Sequence, residues 1–460
     1  MEQTYTPFLW EAEKEIPGTD IRYLVRLKDH PLLDETGEMD ACMFSYSYIR
    51  KPEDPKRPVI FAYNGGPGAA SSWVHLGLLG PRKLELEDFL EKEGRAGWKL
   101  ADNPDTILDA ADVVLIDPVG TSFSVIAKEE ARSRYYTTTG DARTFVDFIE
   151  HWLKENNREQ SPIYLLGESY GTIRNVTVAD LLPETIHLKG IISIGTSLNV
   201  GAAPLPVEPN VRRLAANAAA CWYHFHQGEM EEETFLKEAD AFAYGPYAHA
   251  LLMGSRLPEE EREEVIKKLA YYSGMEEDFL RDHHLRYSEP EFLTRMYPGK
   301  VLSTYDSRLT LPFDPKDFNP DMLNSMDNEP FMTRVGDSFD EAIAKYLKEE
   351  LAVPEGRTYN PEPLLDIALG WNYGDMEKST MDLPVELMKR REDLKFFFVA
   401  GYYDLQSTFD FLTYYLSQYD LPKERTLVKG YQSGHASYVG GNNAEEITAD
   451  IRKLVQEEEA

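Results

Sequence analysis

The sequence predicts an α/β architecture: a mostly parallel central sheet, interrupted by an inserted and mostly helical cap. Three observations lead there. Short, almost wholly apolar runs of the buried-strand type recur at Val59–Tyr63, Val113–Ile116, Ile163–Leu166 and Ile191–Ile194. Between two of them, Asp141 to Lys154 spaces Phe145, Phe148, Ile149 and Trp152 as one face of a helix. After about Ala203 such runs stop, and they resume only at Lys395–Ala400. Strand, helix, strand in repetition requires parallel strands covered on both faces.

The elements follow in order. Ile21–Leu27 alternates apolar and polar residues, as a half-buried strand does, and Asp34-Glu35-Thr36-Gly37 supplies turn chemistry before a second strand at Ala41–Ile49. A proline-rich break, Lys51 to Pro58, precedes Val59–Tyr63. Thr172 to Leu182 is compatible with a helix. The segment from Ala203 to Leu369 is rich in Glu, Tyr, His and Met; helices are expected at Glu231–Asp240, Glu259–Ala270 and Asp340–Leu351, and no buried strand. Lys395–Ala400 and Arg425–Val428 restore the strand pattern, and Ala444–Val455 reads as a closing helix. The expected division is residues 1–202 and 370–460 as two parts of one core, with 203–369 as the cap, an insertion of the kind that loop tips tolerate.

Composition narrows the function. The chain has 460 residues, 42% hydrophobic and 12% aromatic, enough to bury a sizeable core. Acidic residues outnumber basic ones 80 to 48, giving a formal charge of −32, a field that repels nucleic acid and anionic membranes. There are two cysteines, Cys42 and Cys221, and no disulfide framework. The start, Met1-Glu2-Gln3-Thr4-Tyr5-Thr6-Pro7, has neither a basic nor an apolar leader region, and no stretch approaches a membrane span. A reducing, cytoplasmic setting is expected.

Gly167-Glu168-Ser169-Tyr170-Gly171 fits the G-x-S-x-G nucleophile elbow. Its context strengthens the match, because it follows one strand and precedes a helix. A sharp turn there exposes the serine hydroxyl, and the helix N-terminus faces developing negative charge. In the α/β-hydrolase fold the chain order is serine, acid, histidine. Seven histidines follow Ser169; five lie in the insertion and His187 is too near, which leaves His435 in Gly430–His435. Asp404, just past Lys395–Ala400, is the best acid; Asp410 and Asp420 fall deeper in the next helical region. His435 would take the serine proton while Asp404 fixes its tautomer. Asn64-Gly65-Gly66-Pro67-Gly68 follows Val59–Tyr63 and lets backbone amides approach a substrate. The N–H groups of Gly66 and Tyr170 would form the oxyanion hole.

Together these blocks resemble the serine carboxypeptidase family, peptidase family S10. The matching stretches are Asn64–Gly68 through Gly80-Pro81, Asn103-Pro104 with Ile116–Ser124, Gly167–Gly171, and Gly434-His435. Gly80-Pro81-Arg82 and Tyr170-Gly171-Thr172 make the chain most similar to bacterial members. The resemblance implies that Asn64, Gly65 and Glu168 hold the substrate's C-terminal carboxylate, a protonated Glu168 doing so best at acidic pH. Three positions depart from the family. Leu78 stands about where many eukaryotic members carry a second glutamate, Ala69 where cysteine is usual, and Ala436 where methionine often follows the histidine.

The function expected is a serine-type carboxypeptidase acting through an acyl-enzyme on peptides with a free C-terminus. An esterase or acyltransferase on the same triad is the alternative, ahead of a non-catalytic binding protein. No cofactor, metal, nucleic acid or membrane partner is called for, and a homodimer stays open. His224, His226, His283 and His284 lack the carboxylate or cysteine partners of a metal site and are expected to be cap residues. Trp222, Tyr223, Tyr244 and Tyr247 are expected mainly in the cap's own core.

Overall fold

The computed structural model describes residues 7–91, 94–201, 208–314, 316, 329–353, 359 and 367–456. The first six residues and the expected boundary at residue 203 lie outside them. The main sheet comprises β1 (Leu9–Glu15), β2 (Arg22–Leu33), β3 (Met39–Lys51), β4 (Val59–Tyr63), β5 (Asp112–Asp117), β6 (Ile163–Glu168), β7 (Leu188–Ile194), β8 (Lys395–Gly401) and β9 (Thr426–Tyr431). Their spatial order is β1-β2-β3-β5-β4-β6-β7-β8-β9, with the short pair Val125–Ile126 added against β3. The pairings from β1 to β5 are antiparallel. From β5 to β9 every pairing is parallel. This is the α/β-hydrolase fold.

Sequence dictates the depth of each strand. All residues of β4, β5 and β6 are buried, as strands covered on both faces must be. Their side chains alternate between two cores. Ile60, Ala62, Val113, Leu115 and Leu166 join one, and Val59, Phe61, Val114, Ile116 and Leu165 join the other. The triplet Phe396-Phe397-Phe398 on β8 is divided in the same way. Burying each such ring contributes about 1.5–3 kcal/mol, so the sheet is a stiff platform for whatever strain its loops carry.

Helix α1 (Thr138–Glu155) begins three residues before the expected Asp141, because the Thr137 hydroxyl caps it, accepting the N–H of Gly140 at 2.9 Å. Its Phe145, Phe148, Ile149 and Trp152 are buried as the spacing required. Helix α2 (Tyr170–Leu181) is buried over its first ten residues and leaves β6 directly.

Two features were not legible in the pattern. Strand β1 and the hairpin Arg82–Glu87/Gly97–Asp102 are polar and half-exposed, so neither presents an apolar run. In the insertion, helices appear at Glu232–Phe242, Glu259–Ser273 and Asp337–Glu349, near the expected places. The insertion also holds a short, half-exposed hairpin, Lys300–Leu302 with Thr310–Pro312, within the mostly helical segment expected; three residues per strand leave no alternation to read. Val211, Leu214, Phe235, Phe242, Leu269 and Phe292 form a core of the cap's own. Helix Asp337–Glu349 instead packs on the sheet's core, with Phe339 stacked on Trp73 at 4.0 Å between ring centres. No helix among the described residues is long and apolar enough to cross a membrane.

Candidate active site

The site grows out of strand register. Tyr63 on β4 pairs with Gly167 on β6, so the next residues, Asn64 just past β4 and Glu168 at the end of β6, stand side by side. The Asn64 side-chain amide donates to Glu168 Oε2. Asn64 is fixed at two of its other polar atoms as well. Its Oδ1 accepts the Val74 N–H at 3.0 Å, and its carbonyl accepts from Arg174 at 2.8 Å. Arg174 is wholly buried and paired with Asp141 at 2.7 Å, which ties the β4 loop to α1 and α2.

Ser169 is the turn between β6 and α2. Its backbone sits at φ 55° and ψ −123°, a conformation that a non-glycine residue rarely adopts and that costs about 1–3 kcal/mol. Its N–H donates to the Ile194 carbonyl on β7 at 2.9 Å, so the neighbouring strand holds the turn in place. Gly65 must be glycine: a Cβ there would lie 2.5 Å from the Tyr170 nitrogen and 2.6 Å from the Glu168 carbonyl. That close approach sets the glycine loop against the elbow. Gly66 and Tyr170 both border a cleft with Ser169. Tyr170, as the first residue of α2, has no acceptor four residues back within the helix for its N–H.

Asp404 and His435 arrive on the loops after β8 and β9. His435 donates its Nδ1–H to Asp404 Oδ2 at 2.8 Å. Asp404 Oδ1 accepts the N–H groups of Gln406 and Ser407 at 2.7 and 3.0 Å. Both side chains are buried. The two loops touch backbone to backbone, since a Cβ on Gly401 would lie 2.2 Å from the Ser433 and Gly434 carbonyls. Burial pulls the His435 pKa down, but the charge and hydrogen bond of Asp404, joined by the charge of Glu168, raise it above the ordinary value. Ser169 and His435 line one cavity of about 120 Å³, together with Asn64, Gly65, Gly66 and Glu168.

Several residues of this cavity carried no sequence signal. Trp73, Phe331 and Met332 form apolar wall, and Tyr305 stands edge-on to His435 at 5.4 Å. The Tyr305 carbonyl also accepts the His435 N–H at 2.6 Å, so the insertion supplies part of the histidine's seat. Tyr438 donates from its hydroxyl to Glu168 Oε2 at 2.7 Å. Leu78 is buried and absent from the cavity lining, Ala69 and Ala436 border it, and Tyr438 joins Asn64 in meeting Glu168. Trp222, Tyr223, Tyr244 and Tyr247 do not line the cavity, and Tyr247 lies in the cap core. His224 donates to the Ser307 carbonyl, and His283 to that of Phe279. Among the described residues no group of three or more His, Cys, Asp or Glu could hold a metal ion.

Fold and site together define the class: a serine hydrolase of the α/β-hydrolase fold. Residues 32–184, a third of the chain, match the serine carboxypeptidase family. The resemblance is borne out over that stretch, which contains Asn64, the glycine loop and Ser169 and stops before Asp404 and His435. Among solved structures, the chain is similar to a peroxisomal α/β-hydrolase of Saccharomyces cerevisiae at 10% identity, covering 99% of this chain and 90% of that one, with a TM-score of 0.41. It is also similar to a soluble variant of monoglyceride lipase from the same yeast, at 10% identity, 96% and 97% coverage and a TM-score of 0.40. A thioesterase domain from the curacin biosynthetic pathway aligns at 12% identity, 93% and 99% coverage and a TM-score of 0.38. No curated protein sequence matches the chain.

Proposed function

We propose that this protein is a serine-type carboxypeptidase, removing C-terminal residues from peptides through an acyl-enzyme. The observation that carries the reading is the buried Asn64–Glu168 pair in the wall of the cavity that Ser169 and His435 also line. A hydrolase acting on neutral esters has no need of a carboxyl group and an amide donor at that position. In the proposed reaction Ser169 attacks the scissile carbonyl as His435 Nε2 takes its proton. Asp404 keeps Nδ1 protonated and steadies the imidazolium. The N–H groups of Gly66 and Tyr170 receive the oxyanion. His435 then protonates the departing amine, and water repeats the sequence to release the shortened peptide. Asn64, the Gly65 N–H and a protonated Glu168 bind the substrate's carboxylate, and the apolar wall of Trp73, Phe331 and Met332 receives its side chains.

The reading is tested by incubating the enzyme with a mixed peptide library and following masses. Loss of single residues from the C-terminus, strongly slowed but still measurable when that end is amidated, is the expected result. Equal cleavage of free and amidated peptides would instead favour an esterase or acyltransferase. The two free, buried cysteines accord with a reducing, cytoplasmic home as part of the same proposal.

A further inference from the structure

Glu168 is held from two sides. Its Oε2 accepts from the Asn64 amide and from the Tyr438 hydroxyl. The terminal torsion of a glutamate is otherwise broad, so a second donor on the same oxygen selects one orientation of the carboxyl plane. Tyr438 is itself buried, at 3% exposure. Its ring lies against Gly77 in the helical turn His75–Leu79, where a Cβ would stand 2.3 Å from Tyr438 Cε2. Only glycine at 77 leaves the ring where its hydroxyl reaches Glu168. Tyr438 also follows His435 by three positions on the same loop. It therefore joins the histidine's segment to the residue preceding Ser169 by a contact separate from the triad.

We propose that Tyr438 is a positioning and specificity residue, whose hydroxyl fixes the Glu168 carboxyl in the orientation that meets the carboxylate end of a bound peptide. The inference rests on the carboxypeptidase reading. With Oε2 accepting two donors, the proton through which Glu168 donates to a substrate carboxylate sits on Oε1. Removing the Tyr438 hydroxyl leaves one donor fewer on Oε2, beside the Asn64 amide, and loosens the orientation of the carboxyl plane. Binding of free C-termini then weakens, while the acyl-transfer groups stay in place.

The test uses the full-length enzyme and three substrates: a peptide with a free C-terminus, the same peptide amidated, and a small neutral ester. Tyr438→Phe should raise KM for the free peptide about tenfold, the size of losing one hydrogen bond to a charged group. The kcat for that peptide should change little, and so should kcat/KM for the other two substrates. Labelling by a fluorophosphonate at the wild-type rate reports that the folded site is intact. Gly77→Ala, which pushes the ring away, should reproduce the selective loss, and the double variant should be no worse than either single one. A uniform loss on all three substrates, or none, overturns the inference. If wild type favours the free peptide and Tyr438→Phe favours it equally, only this inference falls. If wild type itself ignores the difference, the carboxypeptidase reading falls and carries the inference with it.

Discussion

Asp404 spends one carboxylate oxygen on the Nδ1–H of His435, at 2.8 Å, and the other on the N–H groups of Gln406 and Ser407. The carboxylate is thereby fixed before it fixes the ring. Asp404→Asn keeps the shape but can present an N–H to Nδ1, which favours the wrong tautomer. Its kcat should fall about 10⁴-fold with little change in KM, measured by steady-state kinetics on any cleaved substrate.

The strained backbone at Ser169 separates activity from stability. Ser169→Ala should abolish turnover and fluorophosphonate labelling, with an unchanged melting temperature. Ser169→Gly should be as inactive yet more stable by about 1 kcal/mol, because glycine adopts a positive φ without the penalty. Denaturant unfolding of the two variants side by side makes the comparison. Equal stability would mean that the elbow stores no strain.

The raised pKa of His435 sets the pH profile. The base must be neutral, so the acid limb of kcat/KM for a neutral ester should lie above the ordinary histidine value of about 6.5. Glu168 contributes to raising it, so Glu168→Gln should move that limb to lower pH. The same shift has a stability consequence. A histidine whose folded pKa is raised contributes stability that is fully present below the unfolded value and is lost as pH rises through the folded one. His435→Ala should therefore cost more stability near pH 5 than near pH 9, as read from denaturation midpoints.

Arg174 and Asp141 form a buried ion pair beneath the glycine loop. Arg174→Met leaves the aspartate without its partner and Asn64 without one of its three anchors. Stability should fall by about 3–5 kcal/mol, measured in urea. Asp141→Asn combined with Arg174→Met should recover part of that loss, since no lone buried charge remains.

Cys42 and Cys221 are both free and buried, and burial pushes the Cys221 thiol up to about 12. Neither should react with a thiol reagent in the native state at neutral pH. A reducing agent should leave the melting temperature unchanged; a drop of several degrees would reveal a disulfide.

Much of this molecule was legible in its sequence, for physical reasons that differ by element. Strands β4 to β8 announced themselves because burial on both faces forces continuous apolar runs. Ser169, Asp404 and His435 were singled out as a candidate triad by chain order, and the structure brings His435 against Asp404 and into one cavity with Ser169. Tyr305 and Tyr438 were not found. An aromatic residue in a loop has no period, and what makes Tyr438 significant is its distance from Glu168, 270 positions away in the chain. Helix Asp337–Glu349 was assigned to the cap because it follows the cap's helices in sequence. Its Phe339 and Tyr346 pack on the sheet's core instead, and amphipathic spacing says which face is buried but not against what.

The Tyr305 carbonyl that holds the His435 N–H has a consequence for how the enzyme comes into being. Synthesis runs from the amino end, so the elbow and glycine loop emerge early and can form on the growing sheet. The base comes more than 260 positions after the nucleophile, and its seat is furnished by a segment made in between. The cavity is completed only by the last strand and its loop, since His435 and Ala436 are part of its lining. Under the proposed mechanism, products that end before His435 lack the base, so the chemistry requires nearly the whole polypeptide.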